Sequence, residues 1–81
     1  MKAKVHITLK QGVLDPQGKA VQNALAQLGF SGVIDVRQGK YLELELSETN
    51  PQKAESEVQK MCKKLLSNMV IEDFQVEILE A

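Results

Sequence analysis

The chain has 81 residues, 43% hydrophobic and 26% charged, with a formal net charge of -1, which fits one folded domain over 1–81 and excludes a second catalytic domain, wholesale disorder and a membrane protein. Aromatic residues are only 4% and Cys62 is the one cysteine, so an intramolecular disulfide is excluded and a four-ligand zinc site lacks donors. Oligomerisation is then the usual way for so thin a core to be stabilised.

No apolar run follows the charged start Met1-Lys2-Ala3-Lys4, and no stretch approaches the roughly 18 apolar residues of a membrane span. The expected location is the reducing cytoplasm, with no membrane and no nucleic acid as partner. Charge is uneven along the chain. Residues 1–40 hold six basic and two acidic side chains, a balance of +4, while residues 41–81 hold four and nine, a balance of -5. Kept apart by the fold, the two sets suit docking between copies or onto a larger charged protein.

Lys2 to Lys10 alternates, with Ala3, Val5, Ile7 and Leu9 on one face and Lys4, His6, Thr8 and Lys10 on the other, the period of a half-buried strand. Asp15-Pro16 is a helix entry: the carboxylate accepts from the free amides of the first turn, and proline suits the first helical position. Val21, Ala24, Leu25 and Leu28 follow at helical spacing and Gly29 supplies the stop, so a helix is expected over about 16–28. Val33 to Arg37 and Lys40 to Leu46 read as an antiparallel hairpin turning at Gln38-Gly39, where glycine can take positive φ. In its second strand Leu42, Leu44 and Leu46 face one way and Tyr41, Glu43 and Glu45 the other.

Asn50-Pro51 repeats the helix entry, and Ala54, Val58, Met61, Cys62 and Leu65 give a second apolar stripe ending near Leu66 or Ser67. Phe74, Val76 and Ile78 then alternate with polar residues in a last strand. The order of elements predicts an α+β, ferredoxin-like βαββαβ fold: a four-stranded antiparallel sheet, first and third strands central, with two helices on one face.

Sites of chemistry are scarce. The five glycines form neither GxxxxGK[ST] nor GxGxxG, so no phosphate loop is present. Cys62 falls on the apolar stripe of the second helix and His6 faces outward from the first strand, so nucleophile and base are not paired. His6 has no second histidine or cysteine to share a metal. The central strands carry a single aromatic, Tyr41, among acids, which argues against base stacking by an RNA-recognition module. Arg37 and Lys40 bracket the Gln38-Gly39 turn and can meet an anionic group or a partner carboxylate.

Three runs, Leu14-Asp15-Pro16-Gln17-Gly18-Lys19-Ala20-Val21, Val36-Arg37-Gln38-Gly39-Lys40 and Asn68-Met69-Val70-Ile71-Glu72-Asp73-Phe74, together resemble the PurS subunits of phosphoribosylformylglycinamidine synthase, across essentially the whole chain. The resemblance implies a required, non-catalytic subunit of a cytoplasmic ligase in de novo purine synthesis. In that complex a glutaminase subunit releases ammonia from glutamine, and a large synthetase subunit uses ATP and magnesium to convert formylglycinamide ribonucleotide to formylglycinamidine ribonucleotide. The PurS-type subunit acts as a homodimer or tetramer that joins the two and helps pass ammonia; it binds no cofactor itself. The third run departs from the family pattern at Met69 and Phe74, where Pro and Tyr are expected.

The resulting expectation is a subunit that homodimerises through its sheet, with Arg37 and Lys40 facing a partner and Tyr41, Glu43 and Glu45 near the subunit interface. The alternative is a stand-alone regulatory module that binds a small metabolite between paired sheets.

Overall fold

The computed structural model describes residues 1–80. Its elements are β1 (Lys2–Leu9), α1 (Pro16–Gln27), β2 (Lys40–Glu45), α2 (Pro51–Met61) with a π-type continuation over Cys62–Leu66, and β3 (Glu72–Leu79). β1 is central and antiparallel to both neighbours, giving the order β2-β1-β3. Its alternation decides which face is packed: Ala3, Val5 and Ile7 are fully buried together with Ala54, Val58 and Cys62 of α2. Leu42 and Leu44 from β2, Leu46 just beyond it, and Phe74, Val76 and Ile78 from β3 close around them, each only partly buried.

Both helix entries form as the sequence indicates. Asp15 accepts from the Gly18 amide at 2.8 Å, with Pro16 in the first turn, and Asn50 accepts from Gln52 and Lys53 at 3.0 and 3.2 Å. Gly29, at φ 98°, ends α1, and the following Phe30 amide donates to the Leu25 carbonyl at 2.9 Å. α2 closes differently from its 3.6-residue pattern. The backbone widens to i→i+5 bonding, with the Ser67 amide and hydroxyl both donating to the Cys62 carbonyl at 2.9 Å. The extra residue in that turn carries Leu65 outward to 83% exposure and leaves Leu66 half-buried in its place.

The four-stranded ferredoxin-like sheet does not form: the sheet has three strands, and only α2 packs on it. Residues 33–37 pair with no strand; the stretch is held instead to α1 and its N-cap. Gln22 Nε2 donates to the Ile34 carbonyl at 2.8 Å, and the Gln38 amide donates to the second carboxylate oxygen of Asp15 at 2.8 Å. Gln38 Nε2 adds a bond to Gln17 at 3.0 Å. Gly18 makes this approach possible, since a Cβ there would collide with the Val36 carbonyl. Gly39 likewise lies against the Ile7 carbonyl where a Cβ would not fit, and it does not adopt the positive φ of a hairpin turn. The strand beginning at Lys40 therefore pairs directly with β1 and is an edge, where the four-stranded arrangement has its counterpart in the centre.

The two-helix layer is corrected with it. α1 stands off the sheet, with Gly18 its one buried residue. Residues 10–39 form an arm, so the molecule measures 48 × 28 × 14 Å with a radius of gyration of 15.9 Å, against about 12 Å for a compact chain of this length. Asp15 is the clasp of that arm, holding amides at both its ends. Replacing it with alanine (Asp15→Ala) is expected to raise amide hydrogen exchange at Gly18 and Gln38 roughly tenfold. Protection in β1 and β3, whose ladder does not include the Asp15 bonds, is expected to stay unchanged.

Candidate functional site

The sheet face opposite α2 is largely polar by alternation, with Leu79, across from Lys2, as its apolar margin. Lys2, Lys4, His6 and Thr8 project from β1; Glu45, Glu43 and Tyr41 stand across from Lys2, Lys4 and His6 on one side, and Glu77, Gln75 and Asp73 across from Lys4, His6 and Thr8 on the other. The His6 and Tyr41 rings stack at 4.7 Å between centroids. Lys2 Nζ lies 3.3 Å from Glu43, which also accepts the Tyr41 hydroxyl at 3.1 Å. The charges nearby follow from these contacts. Lys2, then Tyr41, hold the Glu43 carboxyl below the usual range, whereas desolvation and the Glu43 hydrogen bond push the Tyr41 phenol up. With two lysines against Glu43, Glu45, Asp73 and Glu77, the face is acidic.

Arg37 and Lys40, on either side of Gln38-Gly39, go to separate places. Arg37 is exposed and lines a cavity between the β1–α1 loop and the 35–37 segment. Lys40 Nζ donates to the Leu66 carbonyl at 3.3 Å and lies 3.6 Å from Glu72, tying the end of α2 to the start of β3. Tyr41, Glu43 and Glu45 share the acidic face, as their alternation requires.

Asp15 is the functional residue whose second role was not legible beforehand. Its capping bond could be read from Asp15-Pro16; its bond to the Gln38 amide depends on where residues 34–38 run. The Gly18 amide, then the Gln38 amide, lower its carboxyl below the ordinary value.

Cys62 is fully buried and its thiol is pushed up by that burial, the opposite of an activated nucleophile. Among the described residues no three His, Cys, Asp or Glu side chains gather as a metal site, and no helix is long and apolar enough to cross a membrane. Met69, at the family's expected proline, accepts the Ser67 hydroxyl on its sulfur at 3.4 Å. Phe74, at its expected tyrosine, packs against the core.

A flat sheet with one apolar and one charged face and an unpacked helical arm define a small module whose surfaces suit contact with other chains. Comparison with known proteins gives that class its identity. The family model for PurS, described as phosphoribosylformylglycinamidine (FGAM) synthase, matches residues 2–80. The phosphoribosylformylglycinamidine synthase subunit PurS of Bacillus subtilis is 49% identical over 79 residues, 98% of this chain and 93% of that protein.

Three solved structures agree with it. B. subtilis PurS superposes with TM-score 0.86 at 49% identity, covering 98% of each chain. PurS of Methanocaldococcus jannaschii, described as one of the subunits of formylglycinamide ribonucleotide amidotransferase in the purine biosynthetic pathway, gives 0.84 at 46% identity over 94% of this chain and 92% of that one. The PurLQS structure from Thermotoga maritima contains a chain matching with TM-score 0.87 at 32% identity over 96% and 95%. The chain belongs to the PurS family: it is a small subunit of phosphoribosylformylglycinamidine synthase, the ligase of purine biosynthesis.

The lowered carboxyls set a direction with pH. Asp15, Glu43 and Glu48, the last held down by the Asn50 and Thr49 amides, each have a folded-state value below their unfolded one. Their contribution is complete above the unfolded values, about 4, and is lost as pH falls through the folded ones. Thermal unfolding followed from about pH 6 to about pH 2.5 is expected to show a falling midpoint below about pH 4. Glu43→Gln, which removes one of the three titrating groups, is expected to make that fall shallower.

Proposed function

We propose that this chain acts as a non-catalytic homodimer or tetramer that bridges the glutaminase and large synthetase subunits and helps pass ammonia between them. ATP, magnesium and glutamine are used by the other subunits, and this chain binds none of them. The observation that carries the reading is the uncovered arm. Leu28, Phe30 and Ile34 are 73%, 59% and 92% exposed, and Val21 lies on the same helical stripe as Leu28. So many large apolar side chains on one short arm are costly in water, at about 25 cal/mol per Å² of apolar surface, and mark a surface that another chain covers.

A second copy suits that surface by count and by shape. Each sheet lacks one helix on its apolar side, where Leu42, Leu44 and Leu46 are only partly covered, and each chain presents one helix with no sheet beneath it. Reciprocal docking of α1 on the partner's sheet answers both at once, and its two-fold symmetry closes the assembly. The apolar faces are thus engaged between copies. The acidic sheet face, bearing Tyr41, Glu43 and Glu45, and the exposed Arg37 are left for the larger subunits, with Lys40 at the junction between them.

Sedimentation of the full chain is expected to give a dimer or tetramer. Leu28→Glu, which places a charge in the α1 stripe, is expected to shift it to monomer at micromolar concentration. The native chain, mixed with the other two subunits, is expected to restore glutamine-dependent synthesis, and Arg37→Ala with Lys40→Ala to keep the dimer but weaken assembly several-fold. A native chain that sediments as a monomer and leaves the synthesis unchanged overturns the proposal.

A further inference from the structure

We infer that the cavity between the β1–α1 loop and residues 35–37 is a binding site for a small organic phosphate monoester. It has a volume of about 250 Å³, and its walls include Lys10, Lys19 and Arg37 beside Val13, Leu14 and Val36. The three cations come from three separate parts of the chain: the end of β1, the first turns of α1 and the segment that folds back on α1. Among the described residues none of them takes part in an ion pair, and none of their side-chain nitrogens donates to an acceptor.

Two carboxylates share the wall, Asp15 and Asp35, but they are turned to backbone donors. Asp15 accepts from the Gly18 and Gln38 amides, one on each oxygen, and Asp35 from the Val36 amide at 2.9 Å. Three cations against two carboxylates leave the cavity with a net positive charge, even though Arg37 also acts on the Asp15 carboxylate. Bringing like charges together with only partial compensation is unfavourable, and a dianionic oxyanion answers it with oxygens enough for several donors. A guanidinium offers a planar fork to two of those oxygens, and two ammonium groups serve as point charges around the rest.

Size and apolar lining supply the remainder of the ligand. Leu14 and Val13 are 76% and 36% exposed at the cavity wall, so the bound anion has carbon to place against them. The volume falls just short of the roughly 300 to 1,000 Å³ typical of drug-sized ligands, which fits a phosphate joined to a sugar-sized group and not a dinucleotide. The site also stays open in the dimer proposed above. Lys19 precedes Val21 by two positions, about 200° around the helix, so the cavity and the α1 apolar stripe face away from each other. The cavity lies on the arm, not between paired sheets.

The test is a titration of the isotopically labelled full chain, followed by amide NMR shifts, with ribose 5-phosphate, ribose, inorganic phosphate and glutamate as separate probes. Ribose 5-phosphate is expected to give saturable shifts at Gly12, Val13, Lys19 and Arg37 with a midpoint of about 1 mM or tighter. Lys10→Ala combined with Lys19→Ala is expected to weaken it at least roughly tenfold. Lys63→Ala combined with Lys64→Ala removes the same charge from the end of α2 and is expected to leave it unchanged, and the amide spectrum of each variant reports its fold directly. Shifts equally strong with ribose or glutamate, shifts spread over Lys60, Lys63 and Lys64, or equal losses in the two double variants would overturn the site. Inorganic phosphate matching ribose 5-phosphate would overturn the organic part of the ligand.

Discussion

The carboxylate of Asp15 holds two backbone amides that lie twenty residues apart, Gly18 at the start of α1 and Gln38 at the end of the arm. Around this bond the remaining architecture is decided. It keeps residues 34–38 against the helix and so withholds them from the sheet, which is left with three strands and one covering helix. It also brings Arg37 toward Lys10 and Lys19, closing a cavity that neither the helix nor the loop could form alone. Gly18 is the steric counterpart of the same contact, since any side chain there would meet the Val36 carbonyl. The clasp is a local, polar and solvent-accessible device, yet it separates an arm built for another surface from a core that folds on its own face.

That core is small and is shared between few residues. Six side chains are fully buried, three from β1 and three from α2, and every other apolar group at its margin is only half covered. The absence of a disulfide leaves nothing else within the monomer to compensate. A sheet covered on one half and a helix with nothing beneath it are two aspects of one deficit, which a second chain would relieve. Membership of a multi-subunit synthase agrees with such a design, in which surface contact takes the place that a pocket of catalytic residues holds in a self-sufficient enzyme.

Much of this was legible wherever the physics is local. Alternation in Lys2 to Lys10 and in Lys40 to Leu46 placed the inward and outward residues correctly, and with them the common face of Tyr41, Glu43 and Glu45. Asp15-Pro16 and Asn50-Pro51 marked both helix starts. What could not be read were choices between equally good local patterns. Val33 to Arg37 alternates as a strand does, but such a segment becomes a strand only if a neighbouring strand meets its backbone groups, and here Gln22 of α1 donates to the Ile34 carbonyl, Asp35 accepts from the Val36 amide, and Asp15 holds the Gln38 amide just beyond. Leu65 fits a 3.6-residue stripe, but the stripe ends in a wider turn that turns it to solvent. Arg37 and Lys40 are only three positions apart, and their separation follows from Lys40 reaching Leu66 and Glu72. The convergence of Lys10, Lys19 and Arg37 required knowing the path of the arm.

The central position of β1 has a consequence for how the chain comes into being. Its two partners are β2 and β3, and β3 spans Glu72–Leu79, at the far end of the chain from Lys2–Leu9. The strand at the centre of the sheet thus precedes both its partners in the chain, and during translation Val5 and Ile7 wait for their β3 neighbours some seventy residues away. Loop closure over that distance makes for slow folding compared with a helical bundle of equal size. A nascent or truncated chain lacking residues 72–79 would keep β1 as an open, apolar edge, the form most exposed to mispairing with other chains.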